Sequence, residues 1–245
     1  MRTTRQRKTA CLSCSPVCQS ARWLLALLIF SAASLATADS ALKQLPLIEG
    51  SGTYSRPIST TNSEAQAYFD QGLRFAWGFY FPEAIASYQT ASQLDPTHPM
   101  PFWGLAHAMG PNPNSRYARM PDDPKGEGAK AIAAAFAHIG RATPKEAQLI
   151  MALHQLYDQS QRPKAQDRDT AYLAAMRNLN RQYPNDPDIA ALYAGAYMSI
   201  GRWDYWDTDG NPKSETAEVA AALERVIAAG VHHPGVFHLH IHLIE

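Results

Sequence analysis

Between Tyr68 and Pro96 the stretch YFDQGLRFAWGFYFPEAIASYQTASQLDP sets out apolar and small residues at helical intervals twice over. Tyr68, Gly72, Phe75 and Phe79 mark one face of a first helix; Ala84, Tyr88 and Ala91 mark one face of a second, the alanines leaving room for close approach. Pro82 suits the first turn of that second helix, where its missing N–H costs nothing, and Pro96 blocks its continuation. The pattern predicts two antiparallel helices. Phe102, Trp103 and Ala106 then stand one 34-residue period after Tyr68, Phe69 and Gly72, so a second unit opens with the helix PFWGLAHAM and ends at Gly110. An alanine-rich helix follows from Gly128 to Gly140, with Ile132, Phe136 and Ile139 facing one way. Thr143-Pro144-Lys145-Glu146 is a capping box with proline at the first helical position, and Leu149, Ile150, Leu153, Leu156 and Tyr157 supply the stripe behind it. Tyr172, Leu173, Met176 and Leu179 predict a helix around Asp169 to Gln182. Asp186-Pro187 opens another that runs to Gly201, and Val219, Ala222, Leu223, Val226 and Ile227 mark one more before Gly230. Strand-like alternation is missing from this region, and the expected fold class is all-α.

The Tyr68 to Pro96 unit resembles a tetratricopeptide repeat, a helix-turn-helix unit of 34 residues, with its signature small, aromatic and proline sites filled by Gly72, Ala84, Tyr88, Ala91 and Pro96. The resemblance implies helical pairs stacked in a right-handed superhelix over residues 64–245, offering a concave surface to a partner.

The first residues change where such an array would work. Met1 to Arg22 carries Arg2, Arg5, Arg7, Lys8 and Arg22 and no acidic residue; the apolar run WLLALLIF and the small-residue site Ala36-Thr37-Ala38 come next. That order is a secretory signal peptide, residues 1–38, cleaved before Asp39. Trp23 to Ala38 is shorter than the roughly 20 apolar residues of a spanning helix, so the membrane enters only through an uncleaved signal peptide. The expected location is periplasmic or secreted. Cys11, Cys14 and Cys18 all precede the cleavage site, so their C-x-x-C pair leaves with it and the mature chain contains no cysteine. All five basic residues of the leader go as well, which leaves 17 basic against 22 acidic residues and a formal charge of −5. An acidic chain without a basic run excludes nucleic acid as a partner. Residues 39–63, rich in Ser, Thr, Pro and Gly, read as an extended leader.

Two connections are longer than a stacked repeat needs: PNPNSRYARMPDDPKG after Gly110 and RWDYWDTDGNPK after Gly201. Both join the first helix of a pair to its second, so they are expected to share one face, displaying Asn112, Asn114, Arg116, Tyr117, Trp203, Trp206, Asp207 and Asp209. Amides, aromatics and carboxylates together suit a peptide or a small polar ligand; the bland alternative is a pair of surface insertions, with the tryptophans covering helix ends. Asp207-Thr208-Asp209-Gly210 has the look of a calcium loop, but Tyr205 and Thr216 stand where its first and last acidic ligands belong.

Five of the nine histidines fall in the last fourteen residues, HHPGVFHLHIHLIE. With a helix opening at Pro234-Gly235, His238, His242 and Glu245 project from one strip, while Phe237, Ile241 and Ile244 form the expected core stripe and Leu239 and Leu243 make most of the rest apolar. A helix apolar nearly all round is expected to be buried, and its imidazoles then need partners: carbonyls and carboxylates of neighbouring helices, or a divalent metal such as zinc, copper or iron. His98, His107, His138 and His154 are isolated in the sequence.

Besides the general repeat, FWGLAHAMGPNPN, WDYWDTDG and the terminal HPGVFHLHIHLIE look like a group of exported bacterial tetratricopeptide repeat proteins of undefined activity. That resemblance implies further repeats and another histidine pair after Glu245, so the chain is expected to be a truncated form. No Ser/His/Asp set, phosphate loop or HExxH motif is present, and the leading expectation is a non-enzymatic scaffold for a protein, peptide or small polar ligand. The other is a metal-binding protein or metal-dependent enzyme using His238, His242 and Glu245.

Overall fold

The computed structural model describes residues 46–110 and 126–245. The expected signal peptide with its three cysteines lies outside the described residues, as does the first long connection with Asn112, Asn114, Arg116 and Tyr117. Among the described residues the chain is all-helical: α1 Ser63–Trp77, α2 Phe81–Leu94, α3 Pro99–Met109, α4 Glu127–Ala137, a 3-10 turn Ile139–Arg141, α5 Pro144–His154, α6 Ala165–Gln182, α7 Pro187–Gly201, α8 Thr216–Ala228 and α9 Pro234–Ile244. None of these helices is long and apolar enough to cross a membrane.

Four helices begin with one device, a capping side chain followed directly by proline. His98, Thr143, Asp186 and His233 precede Pro99, Pro144, Pro187 and Pro234, and each accepts a bond from an orphan N–H of the first turn. Thr143 and Glu146 form the expected reciprocal box. Each helix packs on the next in sequence; α1 also touches α3, α3 touches α5, and α7 touches α9. Helix α9 returns to α1 as well, so the first and last of the described helices meet.

The centre of the first unit is the fully buried ring of Tyr88. A Cβ at Gly72 would lie 2.8 Å from that ring and one at Gly104 2.5 Å from it, which is why the facing helices carry glycine there. Gly104→Ala is therefore expected to cost about 1–3 kcal/mol through overpacking. Urea denaturation beside Gly140→Ala, where nothing lies within 4 Å of the new methyl, provides the check. Equal stabilities would refute the close fit.

Several expected stripes are corrected. Phe79 lies beyond α1, in the turn, with φ +62°, and Phe69 and Leu73 take the core positions. Phe136 is exposed while Ile132 is buried. Helix α6 starts at Ala165 rather than near Asp169. In α9 the core stripe is Val236, Leu239 and Leu243; Phe237, Ile241 and Ile244 face outward, so the helix is not buried all round. Its neighbours α1, α7 and α8 cover one side only.

Residues 46–62 contain no helix yet are pinned down. The Ile48, Arg56 and Ile58 N–H groups donate to the Gln71, Asp70 and Gln66 side chains of α1 at 2.7, 2.9 and 2.9 Å.

Candidate functional site

Asp188, in the first turn of α7, is the most heavily used carboxylate of the described residues. Its Oδ2 accepts from Tyr54 Oη and Arg56 Nη1, each at 2.7 Å; its Oδ1 accepts from His233 Nε2 at 2.9 Å and Trp77 Nε1 at 3.3 Å. Arg56 also reaches Asp186 Oδ1 at 3.0 Å, and Asp186 Oδ2 takes Lys145 Nζ at 3.0 Å. Burial alone would raise the Asp188 carboxyl, but the bond from His233 and the Arg56 charge outweigh it and hold it well below the usual carboxylate range. Burial, followed by the Asp188 charge, pushes the Tyr54 phenol up. His233 Nδ1 accepts from Val236 N–H, so its proton sits on Nε2, facing Asp188. Each Asp188 oxygen accepts two bonds, so the carboxylate is fully occupied within the protein. The cluster ties the leader, α1, α7 and the start of α9 together.

A second polar cluster brings serine, histidine and a carboxylate together, but in an order unsuited to catalysis. Ser59 Oγ donates to Glu146 Oε2 at 2.6 Å and lies 2.9 Å from His98 Nε2. His98 Nδ1 accepts from Met100 N–H, so Nε2 carries the proton and donates to Ser59 instead of deprotonating it. Burial would raise Glu146, yet the bonds from Ser59 and Thr143 outweigh it and hold it low, which makes it a weak base.

Between α1, α2, α3, α6, α7 and α9 lies a cavity of ≈ 50 Å³, walled by Trp77, Phe79, Phe81, Tyr172 and Leu239, with His107, Asp169 and Ser199 as polar lining. The His107 ring stacks on Trp103 at 5.4 Å between centroids and meets Trp77 edge-on at 5.6 Å. Its Nδ1 is sealed from solvent and has no hydrogen-bond partner. Burial lowers its pKa to about 4, so the imidazole is neutral. Among the described residues, none of the other buried polar atoms without a partner belongs to a residue lining this cavity.

His238 and His242 sit on the flank of α9, both half-buried. His238 Nδ1 lies 2.8 Å from the Trp77 carbonyl oxygen, His242 Nδ1 lies 3.2 Å from Glu245 Oε2, and the two Nε2 atoms face each other at 3.1 Å. The Phe79 ring stands 4.2 Å from His238 and the Trp203 ring 5.1 Å from His242. Glu245 thus holds the outer nitrogen of His242 and is not aimed at the gap between the imidazoles. Among the described residues no group of three or more His, Cys, Asp or Glu side chains is placed to hold a metal together.

The second long connection closes on itself. Asp207 accepts from Asp209 N–H, Asn211 N–H and Asn211 Nδ2 at 2.9, 2.8 and 3.0 Å, which occupies its carboxylate within the loop. Asp209 is exposed. Trp206 Nε1 donates to the Leu243 carbonyl at 2.7 Å and covers the end of α9, whereas Trp203 is 44% exposed. Tyr205 and Thr216 are buried, and Thr216 Oγ1 donates to the Tyr205 carbonyl at 2.8 Å; the two positions wrong for calcium are structural. The sequence missed His107, Asp188 and His233: nothing local in it marks residues whose partners lie in other helices.

No protein-family model, curated protein or solved structure matches the chain.

Proposed function

We propose that the protein is an exported binding scaffold of the tetratricopeptide-repeat kind. In this reading it takes a small ligand, or one side chain of a bound peptide, into the cavity between α1, α2, α3, α6, α7 and α9. The observation that carries the reading is His107 Nδ1, a buried polar atom without a partner in a residue that lines an aromatic cavity. Native proteins leave few such atoms unpaired, because each costs about 1–3 kcal/mol. A ligand polar group that displaces the cover over Nδ1 and bonds it, with the body of the ligand against Trp77, Phe79 and Tyr172, recovers that cost. Size decides what fits: one water needs roughly 10–15 Å³, so ≈ 50 Å³ suits a handful of heavy atoms rather than a drug-sized molecule. The self-closed Asp207 loop moves recognition away from the second connection and toward this interior face. Helix pairing in sequence order, with α1, α3 and α5 in mutual succession, supports the stacked arrangement. Export rests on the basic, apolar and small-residue order of Met1 to Ala38.

Ligand-observed NMR with a library of small polar fragments and short peptides tests the site. Ala196 is buried and lines the cavity, and Ala196→Val fills part of it. Hits that bind the native protein and lose about tenfold or more in the folded variant support the reading. Hits that bind both equally would place recognition elsewhere.

A further inference from the structure

The two facing imidazoles of α9 present a wiring problem that a cation solves. A carbonyl oxygen can only accept, so His238 Nδ1, 2.8 Å from Trp77 O, carries a proton. An ionised carboxylate can only accept, so His242 Nδ1, 3.2 Å from Glu245 Oε2, carries one too. In the neutral rings both Nε2 atoms then carry bare lone pairs, and the two atoms lie only 3.1 Å apart. Two lone pairs at that distance repel unless something positive lies between or beside them.

We propose that His238 and His242 chelate one divalent late transition ion, Zn(II) or Cu(II), through their Nε2 atoms, with Glu245 and the Trp77 carbonyl as the outer supports of the two rings. Nitrogens 2.0–2.1 Å from a metal and 3.1 Å apart subtend roughly 95–100° at it, between octahedral and tetrahedral angles. Each ring donates its remote N–H to an oxygen, the arrangement that fixes tautomer and orientation in histidine metal sites. The positions i and i+4 on one helix hold the pair without chain entropy to lose. Phe79 and Trp203, which flank the rings, both have left-handed backbone angles, φ +62° and +69°, a costly conformation for bulky residues. Since no third protein ligand converges among the described residues, water takes the remaining positions. Borderline imidazole donors favour Zn(II) or Cu(II) over the hard ions Mg(II) and Ca(II). This site is separate in chemistry from the cavity reading and does not depend on it.

The test is calorimetric titration of the metal-free protein with Zn(II), Cu(II), Mg(II) and Ca(II), followed by elemental analysis after dialysis. The native chain is expected to bind about one Zn(II) or Cu(II) and neither Mg(II) nor Ca(II). His242→Ala removes one donor from a residue whose side chain is 27% exposed, leaves the His238 anchor on Trp77, and is expected to weaken binding at least 100-fold with an unchanged circular dichroism spectrum. Glu245→Gln keeps both Nε2 atoms and is expected to cost about tenfold, as outer-sphere partners do. Absence of saturable binding to the native chain, or equal binding by a folded His238→Ala/His242→Ala protein, overturns the proposal. A metal-free pair that only shares a proton gives the first of these results.

Discussion

Replacing Asp188 with alanine is expected to remove about 3–5 kcal/mol of folding stability, the range for breaking a buried ion pair from one side. The Arg56 and Asp188 side chains are 9% and 2% exposed, so neither can turn to water when the other is lost. The substitution also strands Tyr54 Oη, His233 Nε2 and Trp77 Nε1, three donors aimed at one carboxylate. Arg56 keeps Asp186, which limits the damage on that side. Guanidinium denaturation at pH 7 measures the loss. The double variant Arg56→Leu/Asp188→Leu separates pairing from mere burial: it is expected to be more stable than Asp188→Ala, because the buried Arg56 charge no longer remains with only Asp186, shared with Lys145, to offset it. A loss below about 1 kcal/mol for Asp188→Ala would show that the cluster does not hold the fold. Consequences reach α9. Tyr54 and Trp77 both pack against His233, at 4.3 and 5.3 Å between ring centroids, and a Cβ at Gly235 would lie 2.5 Å from the Trp77 indole. Faster hydrogen exchange across Val236 to Leu243 in Asp188→Ala is the expected companion result.

Much of the scaffold was legible because local rules decide it. Thr143-Pro144 with Glu146, and Asp186-Pro187, announce their helices in a few adjacent residues, and both helices start there. His98 and His233 use the same device with a weaker capping residue, and only the following prolines hint at it. Helix α9 shows where periodicity stops. It carries two apolar strips about 100° apart, Phe237/Ile241/Ile244 and Val236/Leu239/Leu243, and either could face the core. The choice is made by Trp77, which accommodates Gly235, and by Trp206, which bonds the Leu243 carbonyl. That choice in turn sets the histidines on the flank, one ring on the Trp77 carbonyl and the other on Glu245. The alignment of His238, His242 and Glu245 was readable as spacing, but the sequence could not say that Glu245 serves the outer nitrogen. Asp188 is separated from Tyr54 by 134 residues and from His233 by 45, and no short-range pattern connects them. The cavity is likewise a product of six helices, and His107 enters it only through their packing.

Acidification separates the buried imidazole from the buried carboxylates. His107 titrates near 6.5 in an unfolded chain and is lowered to about 4 by burial in the native one. Between those values the unfolded state binds more protons, so stability falls as pH falls, most of it lost by the time pH reaches about 4. The shift corresponds to at most about 3 kcal/mol, and because His107 as a whole residue keeps some exposure although its Nδ1 is sealed, about 2 kcal/mol is the expected size. Asp188 and Glu146 have depressed values, so their contributions are intact above about pH 4 and are lost below it, as pH falls through their folded values. His98, also lowered by burial, adds to the same window as His107, and Asp70, raised by burial, opposes them. The difference between native protein and His107→Phe isolates the one imidazole: the variant keeps a ring on Trp103 and has nothing to protonate. Stability curves at pH 7, 6, 5 and 4 are expected to converge on a flatter line for the variant by about 2 kcal/mol. Parallel curves would mean that His107 finds a proton acceptor or solvent in the native state, which removes the unpaired nitrogen on which the cavity reading stands. A ligand that hydrogen-bonds this imidazole in its neutral form adds to the same slope, because protonation then expels the ligand as well as unfolding the chain.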